Sequence, residues 1–186
     1  MNSAVRQPRA TLSGMPSPTI RAPRIDELER CREIERAAGV LFAEIGFAAV
    51  AADEPAPAET LAEYLRAGRA WVITTADDEP VGYAVVDIVD DLAHLEQLSV
   101  LPDQGRQGLG TMLLEHVCAW ATNDRRAAVT LTTFIDVPWN APFYARHGFR
   151  VMDEAEIGPE LRDLRAHEAA HGLDPTQRIC MYRAVN

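Results

Sequence analysis

The chain has 186 residues, 47% of them apolar and 25% charged, with a formal net charge of -10. That length and balance suit one soluble globular domain with a sizeable core. The negative field repels phosphate backbones and argues against nucleic acid as a partner, while it is compatible with a cationic substrate. No apolar run approaches the roughly 20 residues that span a bilayer, which argues against a membrane helix.

Residues 1–18 carry Pro, Ser and Arg but no apolar signal core, and read as a disordered leader. Residues 19–186 read as a single domain. A short strand is expected at Thr19–Arg21 and a helix opening near Arg24–Asp26. Ile25, Leu28, Cys31, Ile34 and Glu35 roughly keep helical spacing towards Leu41 and Phe42. "AADEPAPAE" reads as a linker, and "AETLAEYLRAG" as a second helix stopped by Gly68. Three strands are expected at about 70–75, 81–89 and 93–100, rich in Val, Ile, Thr and aromatic residues, with "ADDEP" as a hairpin turn. A helix follows at about 108–122, with Leu109, Met112, Leu113, Val117 and Trp120 as its apolar stripe. "AAVTLTTF" reads as a buried strand and "NAPFYARHGF" as a short helix. "FRVMDEAEI" and "QRICMYRAV" read as two more strands, with a helical segment between them.

An antiparallel meander followed by a βαβ crossover predicts one mixed, mostly antiparallel α/β (α+β) sheet of about six or seven strands, with helices on both faces. Cys31, Cys118 and Cys180 are far apart and form no CxxC, which points to a reducing cytoplasm rather than to disulfides or zinc. No metal site is expected: His167 and His171 are spaced i, i+4 but lack an evident third ligand. His116 reads as structural, and His147 as a helix-end residue.

The glycine-bearing loop in "VLPDQGRQGLGTMLLEHVCAWA" raises a choice of ligand. A dinucleotide fingerprint needs a third glycine where Leu113 stands. For a phosphate-binding P-loop, Gly105 and Gly110 have the spacing, but Thr111 follows directly where the motif needs a lysine. A strand, a glycine loop and a helix N-terminus whose free N–H groups take a pyrophosphate needs neither. A plain connecting loop with glycines at positive φ is the competing reading.

The stretch resembles the acyl-CoA-binding motif of the GCN5-related N-acetyltransferase (GNAT) superfamily, Q/R-x-x-G-x-G/A after a strand ending in V-x-P. Val100, Leu101 and Pro102 match the strand exit, and Gly108, Leu109 and Gly110 match G-x-G. Gly105 stands where the family has Gln or Arg, flanked by Gln104 and Arg106. Downstream, "WNAPFYARHGF" resembles a compressed form of the family's later motif, with Asn140, Phe143, Tyr144, Gly148 and Phe149 in register.

The resemblance implies an acetyltransferase that moves an acetyl group from acetyl-CoA to a primary amine by direct attack. Leu98, Ser99 and Val100 would hold the pantetheine arm. The loop from Gly105 through Arg106, Gln107, Gly108, Leu109 and Gly110 to Thr111 would hold the pyrophosphate. Asn140 would contact the pantetheine, and it suits a helix N-cap equally well. Tyr144 would be the acid that protonates the thiolate, or else a core aromatic. Glu96 would be the base, or else an exposed carboxylate paired with an arginine. Without a bulge, alternation puts His94, Glu96, Leu98 and Val100 on one face. Cys118 reads as buried and no nucleophile. The expected acceptor is a small amine, with a protein lysine or N-terminus, or a non-catalytic acyl-CoA-binding module, as alternatives. Asp87, Asp90 and Asp91 read as turn residues between strands near the site, with attraction of a cationic substrate as the alternative. A homodimer through the C-terminal strands is also expected.

Overall fold

The computed structural model describes residues 17–185, so the expected leader lies almost wholly outside the described residues. The elements are β1 (Thr19–Arg21), α1 (Leu28–Ala43), α2 (Ala48–Ala51), α3 (Ala58–Arg66), β2 (Ala70–Thr74), β3 (Pro80–Val89), β4 (Leu92–Val100), α4 (Leu109–Asn123), β5 (Ala128–Phe134), α5 (Ala141–Arg146), β6 (Arg150–Val151), α6 (Pro159–Ala170) and β7 (Arg178–Ala184). One seven-stranded sheet runs in the order β1-β2-β3-β4-β5-β7-β6. Only β4 and β5 pair in parallel, as the crossover through α4 requires.

The two faces of the sheet bury different helices. Leu109, Leu113, Leu114, Val117 and Ala121 of α4 pack on Ile73, Val86, Leu95 and Leu131. On the other face, Leu28, Cys31 and Ile34 of α1 and Leu61 of α3 pack on Val72, Tyr83 and Val85. Leu161 of α6 joins Met152, Ile157 and Cys180 further along the sheet. The expected α4 stripe shifts by one row: Leu114 and Cys118 go inward and Met112 lies 39% exposed. A helix at 3.6 residues per turn under a twisted sheet buries the 109/113/117/121 row together with the 114/118 row.

Two segments differ from expectation. The Pro-rich linker is preceded by the one-turn helix α2. The strand expected over "FRVMDEAEI" is paired only at Arg150 and Val151. Asp153 and Glu156 then form a reciprocal capping box that turns the chain out of the sheet. β7 is interior: β5 pairs along its whole length, and β6 holds the other edge at Met181 and Tyr182. Beyond those two residues, that side of β7 has no strand partner among the described residues.

The β3–β4 turn holds two of the three acidic residues expected there. Asp90 and Asp91 both take positive φ, as a two-residue hairpin turn demands. The Asp90 carboxylate accepts the Glu160 and Leu161 N–H groups at 3.0 Å each, capping α6. Asp91 pairs with Arg126, and Asp87 accepts from Tyr64 and Arg69. Asp90 and Asp91 are turn residues as expected, whereas Asp87 lies within β3, paired opposite His94, and is not a turn residue.

Candidate active site

The central feature is a gap between two strands. β4 and β5 pair at Ala93–Val129 and His94–Thr130, and no further. The β3–β4 register shifts at the same level: Val86 faces Leu95 and Val85 faces Gln97, so Glu96 is the extra residue of a β-bulge. A bulge bends and twists its strand, which accounts for β4 leaving β5 here. It also breaks the simple alternation. Leu98 and Val100 pack with Leu95 towards α4, while His94 is buried against Thr130.

Leu101 N–H bonds to the Val81 carbonyl, so the alternating ladder turns the backbone groups of Leu98 and Val100 away from β3 and into the gap. Leu98 N–H is engaged by the Gln97 side-chain oxygen at 3.0 Å, so Gln97 occupies the position a ligand amide would take on that donor. Ser99 is 8% exposed, and its ladder groups face β3.

The gap opens into a cleft of about 1000 Å³. At one end lies the first turn of α4. Gly108 occupies the N-cap with φ of +80°, a conformation that costs little only for glycine. A Cβ on Gly105 would meet the Pro102 carbonyl oxygen at 3.0 Å, whereas Gly110 has ordinary room. The helical ladder begins with Met112 N–H on the Gly108 carbonyl, so Leu109, Gly110 and Thr111 keep N–H groups with no intrahelical partner. Arg106 and Arg146 line this end and form no ion pair among the described residues. Unpaired N–H groups, two guanidinium groups and a tight glycine loop fit a diphosphate. Gln107 turns away: its side-chain amide meets Gln104 at 3.2 Å, and it does not line the cleft.

Asn140 sits at the N-cap position of α5, but its side chain makes no capping bond and it lines the cleft. Tyr144 lines the same wall. Burial, the only cause acting on it, raises its phenol above the ordinary range, so it stays protonated at neutral pH. Glu96 reaches solvent, but that solvent is the cleft's own, and protein surrounds the carboxyl on most sides. Desolvation, reinforced by the negative Asp87 and Glu168, pushes its carboxyl up to about 7. It has no arginine ion partner within reach among the described residues, unlike an ordinary surface glutamate. Burial pushes the Cys118 thiol up to about 11, which leaves it inert as a nucleophile at neutral pH.

Several cleft residues carry no signal in the sequence pattern. Glu35 shares the inward spacing of α1, which hints at its position but not at its partners. It accepts from the Tyr83 hydroxyl and the Gln97 amide, and burial raises its carboxyl. Glu168 and Arg178 form a bidentate pair at 2.7 and 3.1 Å, with Thr132 bonded to both. Phe42, Phe134 and Trp139 close the far end. His167 and His171 stack at 4.1 Å, and His171 Nδ1 lies 2.8 Å from the His167 carbonyl oxygen, an intrahelical contact.

A sheet whose one parallel pair splays over a glycine-bearing helix N-terminus defines an acetyltransferase-type α/β fold. The model of the acetyltransferase (GNAT) family matches residues 29–149, and the chain belongs to that family. The peptidyl-lysine N-acetyltransferase YjaB of Salmonella typhimurium is 31% identical over 101 residues, which are 53% of this chain and 62% of that protein. The chain thus spans less than two thirds of that relative's length. Among solved structures, a GNAT-family acetyltransferase from Staphylococcus aureus superposes with a TM-score of 0.71 at 16% identity, over 91% of this chain and all of that one. The PaiA N-acetyltransferase of Thermoplasma acidophilum, solved with coenzyme A, gives 0.63 at 17% identity, over 90% of this chain and 99% of that one. At those identities the likeness is one of fold.

Proposed function

We propose that this chain transfers the acetyl group of acetyl-CoA to a primary amine, by direct attack within a ternary complex in the cleft. The observation that carries the reading is the continuity of the cleft. Free N–H groups at Leu109, Gly110 and Thr111 stand at one end, and Glu96 and Tyr144 line its middle.

Acetyl-CoA would supply the activated acyl thioester. The α4 N-terminus with Arg106 and Arg146 takes the diphosphate. The backbone of Val100, and of Leu98 once Gln97 releases it, holds the pantetheine arm as an added strand, and Asn140 adds a side-chain contact. A β4 N–H group facing the gap polarises the thioester carbonyl as negative charge develops on its oxygen. Glu96, with a carboxyl poised near neutrality, accepts a proton from the arriving ammonium, directly or through one water. The free amine attacks, the tetrahedral intermediate collapses with cleavage of the C–S bond, the Tyr144 hydroxyl gives its proton to the departing thiolate, and the proton the nitrogen sheds on becoming an amide returns through water to Tyr144. Most of the acceleration comes from holding the amine and the thioester together.

Calorimetric titration with acetyl-CoA, run beside ATP and NAD, tests the cofactor assignment. Saturable binding of acetyl-CoA alone supports it. Binding of ATP or NAD with no affinity for acetyl-CoA or CoA overturns it.

A further inference from the structure

The acceptor end of the cleft has a chemical bias that the catalytic residues do not require. Its cations are engaged. Arg178 forks onto Glu168 and lies 4.9 Å over the Phe134 ring. Arg36 pairs with Glu29 at 3.1 Å and with Glu54 at 3.2 Å. The cleft-lining arginines without an ion pair among the described residues, Arg106 and Arg146, belong to the glycine loop and to α5, at the cofactor end. Facing the acceptor are Glu96 and Asp53, neither in an ion pair among the described residues, and beside them Glu35, whose carboxyl accepts from Tyr83 and Gln97 and likewise has no cationic partner there. This end therefore favours an ammonium and offers no free partner to a carboxylate beside it.

Beyond the carboxyls stands an aromatic cluster drawn from three parts of the chain. Phe42 meets Phe134 and Trp139 at 5.7 Å each, and Phe47 backs Phe134 at 5.0 Å. Trp139 is 38% exposed and lines the cleft with Phe42 and Phe134. Four rings gathered around Phe42 at tilted or edge-on angles, with Trp139 part-exposed, form a surface at this end of the cleft that another ring would desolvate favourably. Glu35 and Phe42 are seven residues apart on α1, so they share a helix face at a spacing of about 10 Å. That is the reach of an amine separated from a ring by a short chain.

We infer that the acceptor is a small primary amine carried on an aromatic body, with no carboxylate beside the amine. This rests on the acetyl-transfer reading above. The ammonium end lies among Glu35, Glu96 and Asp53, and the ring lies against Phe42 and Trp139.

The test is kcat/KM with acetyl-CoA for 2-phenylethylamine, phenylalaninamide, phenylalanine, butylamine and a lysine-containing peptide. The first two should be used well. Phenylalanine should fall about 100-fold, as expected when a charged group meets a site with no partner for it. Butylamine should fall about 10-fold for loss of the ring contact. Phe42→Ala should raise KM for 2-phenylethylamine about 10-fold and leave KM for acetyl-CoA unchanged, and Phe42→Leu, which keeps the packing volume, should show the same split more weakly. Equal use of phenylalanine, or preference for the lysine peptide, overturns the acceptor assignment and leaves acetyl transfer standing. Binding of acetyl-CoA with no transfer to any amine overturns acetyl transfer and the acceptor assignment together.

Discussion

Thr111 Oγ1 and His147 Nε2 lie 3.0 Å apart, where the first turn of α4 meets the end of α5. His147 Nδ1 sits 2.8 Å from the Phe143 carbonyl, which can only accept, so Nδ1 carries a proton and Nε2 is left to share a hydrogen bond with the Thr111 hydroxyl. The imidazole thus ties the helix that carries Asn140 and Tyr144 to the helix that offers the diphosphate cradle. One hydrogen bond of this kind is worth about 1 kcal/mol. His147→Ala should therefore raise KM for acetyl-CoA about 5-fold while the far-UV spectrum stays native. Steady-state kinetics at saturating amine measure it.

Glu96→Gln separates base chemistry from positioning. With a carboxyl near 7, wild-type kcat/KM should rise as pH climbs through neutrality, because the carboxylate form is the base. The Gln variant should lose that rise. Its deficit should be small in acid, where Glu96 is itself protonated, grow as pH climbs through about 7, and shrink again at high pH as free amine becomes abundant. A pH-independent deficit would mean that Glu96 only positions the substrate.

The same substitution predicts a stability effect of opposite sign. A carboxyl raised by burial binds more protons folded than unfolded, so stability falls as pH rises from the ordinary glutamate value through about 7. Glu96→Gln removes that penalty. Its melting temperature should exceed the wild type's above neutrality and converge with it in acid. Calorimetric scans across that range report it, and equal melting temperatures at all pH would contradict the origin assigned to the shift.

Tyr144→Phe keeps the ring that packs at 5.7 Å on Phe149 and removes only the hydroxyl. If that hydroxyl protonates the thiolate, kcat should drop by about 10- to 1000-fold with little change in acetyl-CoA affinity. An unchanged kcat would mean that the thiolate leaves without this acid.

Gly108 is held by its backbone rather than by crowding, since a Cβ there meets nothing within 4 Å but φ is +80°. Gly108→Ala should destabilise the fold by about 1 kcal/mol through strain alone. Gly108→Asn, whose residue type tolerates that φ, should recover most of it. Chemical denaturation of the two variants makes the comparison.

What was legible in the sequence follows from what is local. The strand exit at Val100–Pro102, the glycine loop and α4 are contiguous, and turn chemistry with helical periodicity marks them. Glu96 was legible as a charge in a strand, but the bulge that aims it depends on pairing with Val85 and Val86, which no stretch of β4 alone reveals. The aromatic cluster was not legible at all. Phe42, Phe134 and Trp139 come from a helix, a strand end and a loop, and only the tertiary fold brings them to one cleft. Likewise, the two-residue length of β6 depends on the Asp153–Glu156 box that turns the chain outward.

The most direct measurement is the initial rate of CoA thiol release, with acetyl-CoA and an accepted amine varied together and the acetylated amine counted in the same samples. Direct transfer predicts release that depends on the amine, matches product one for one, and gives intersecting double-reciprocal lines, as a ternary complex requires. Parallel lines, with acetyl label retained on the protein before amine is added, would reveal a covalent acyl-enzyme and contradict the account.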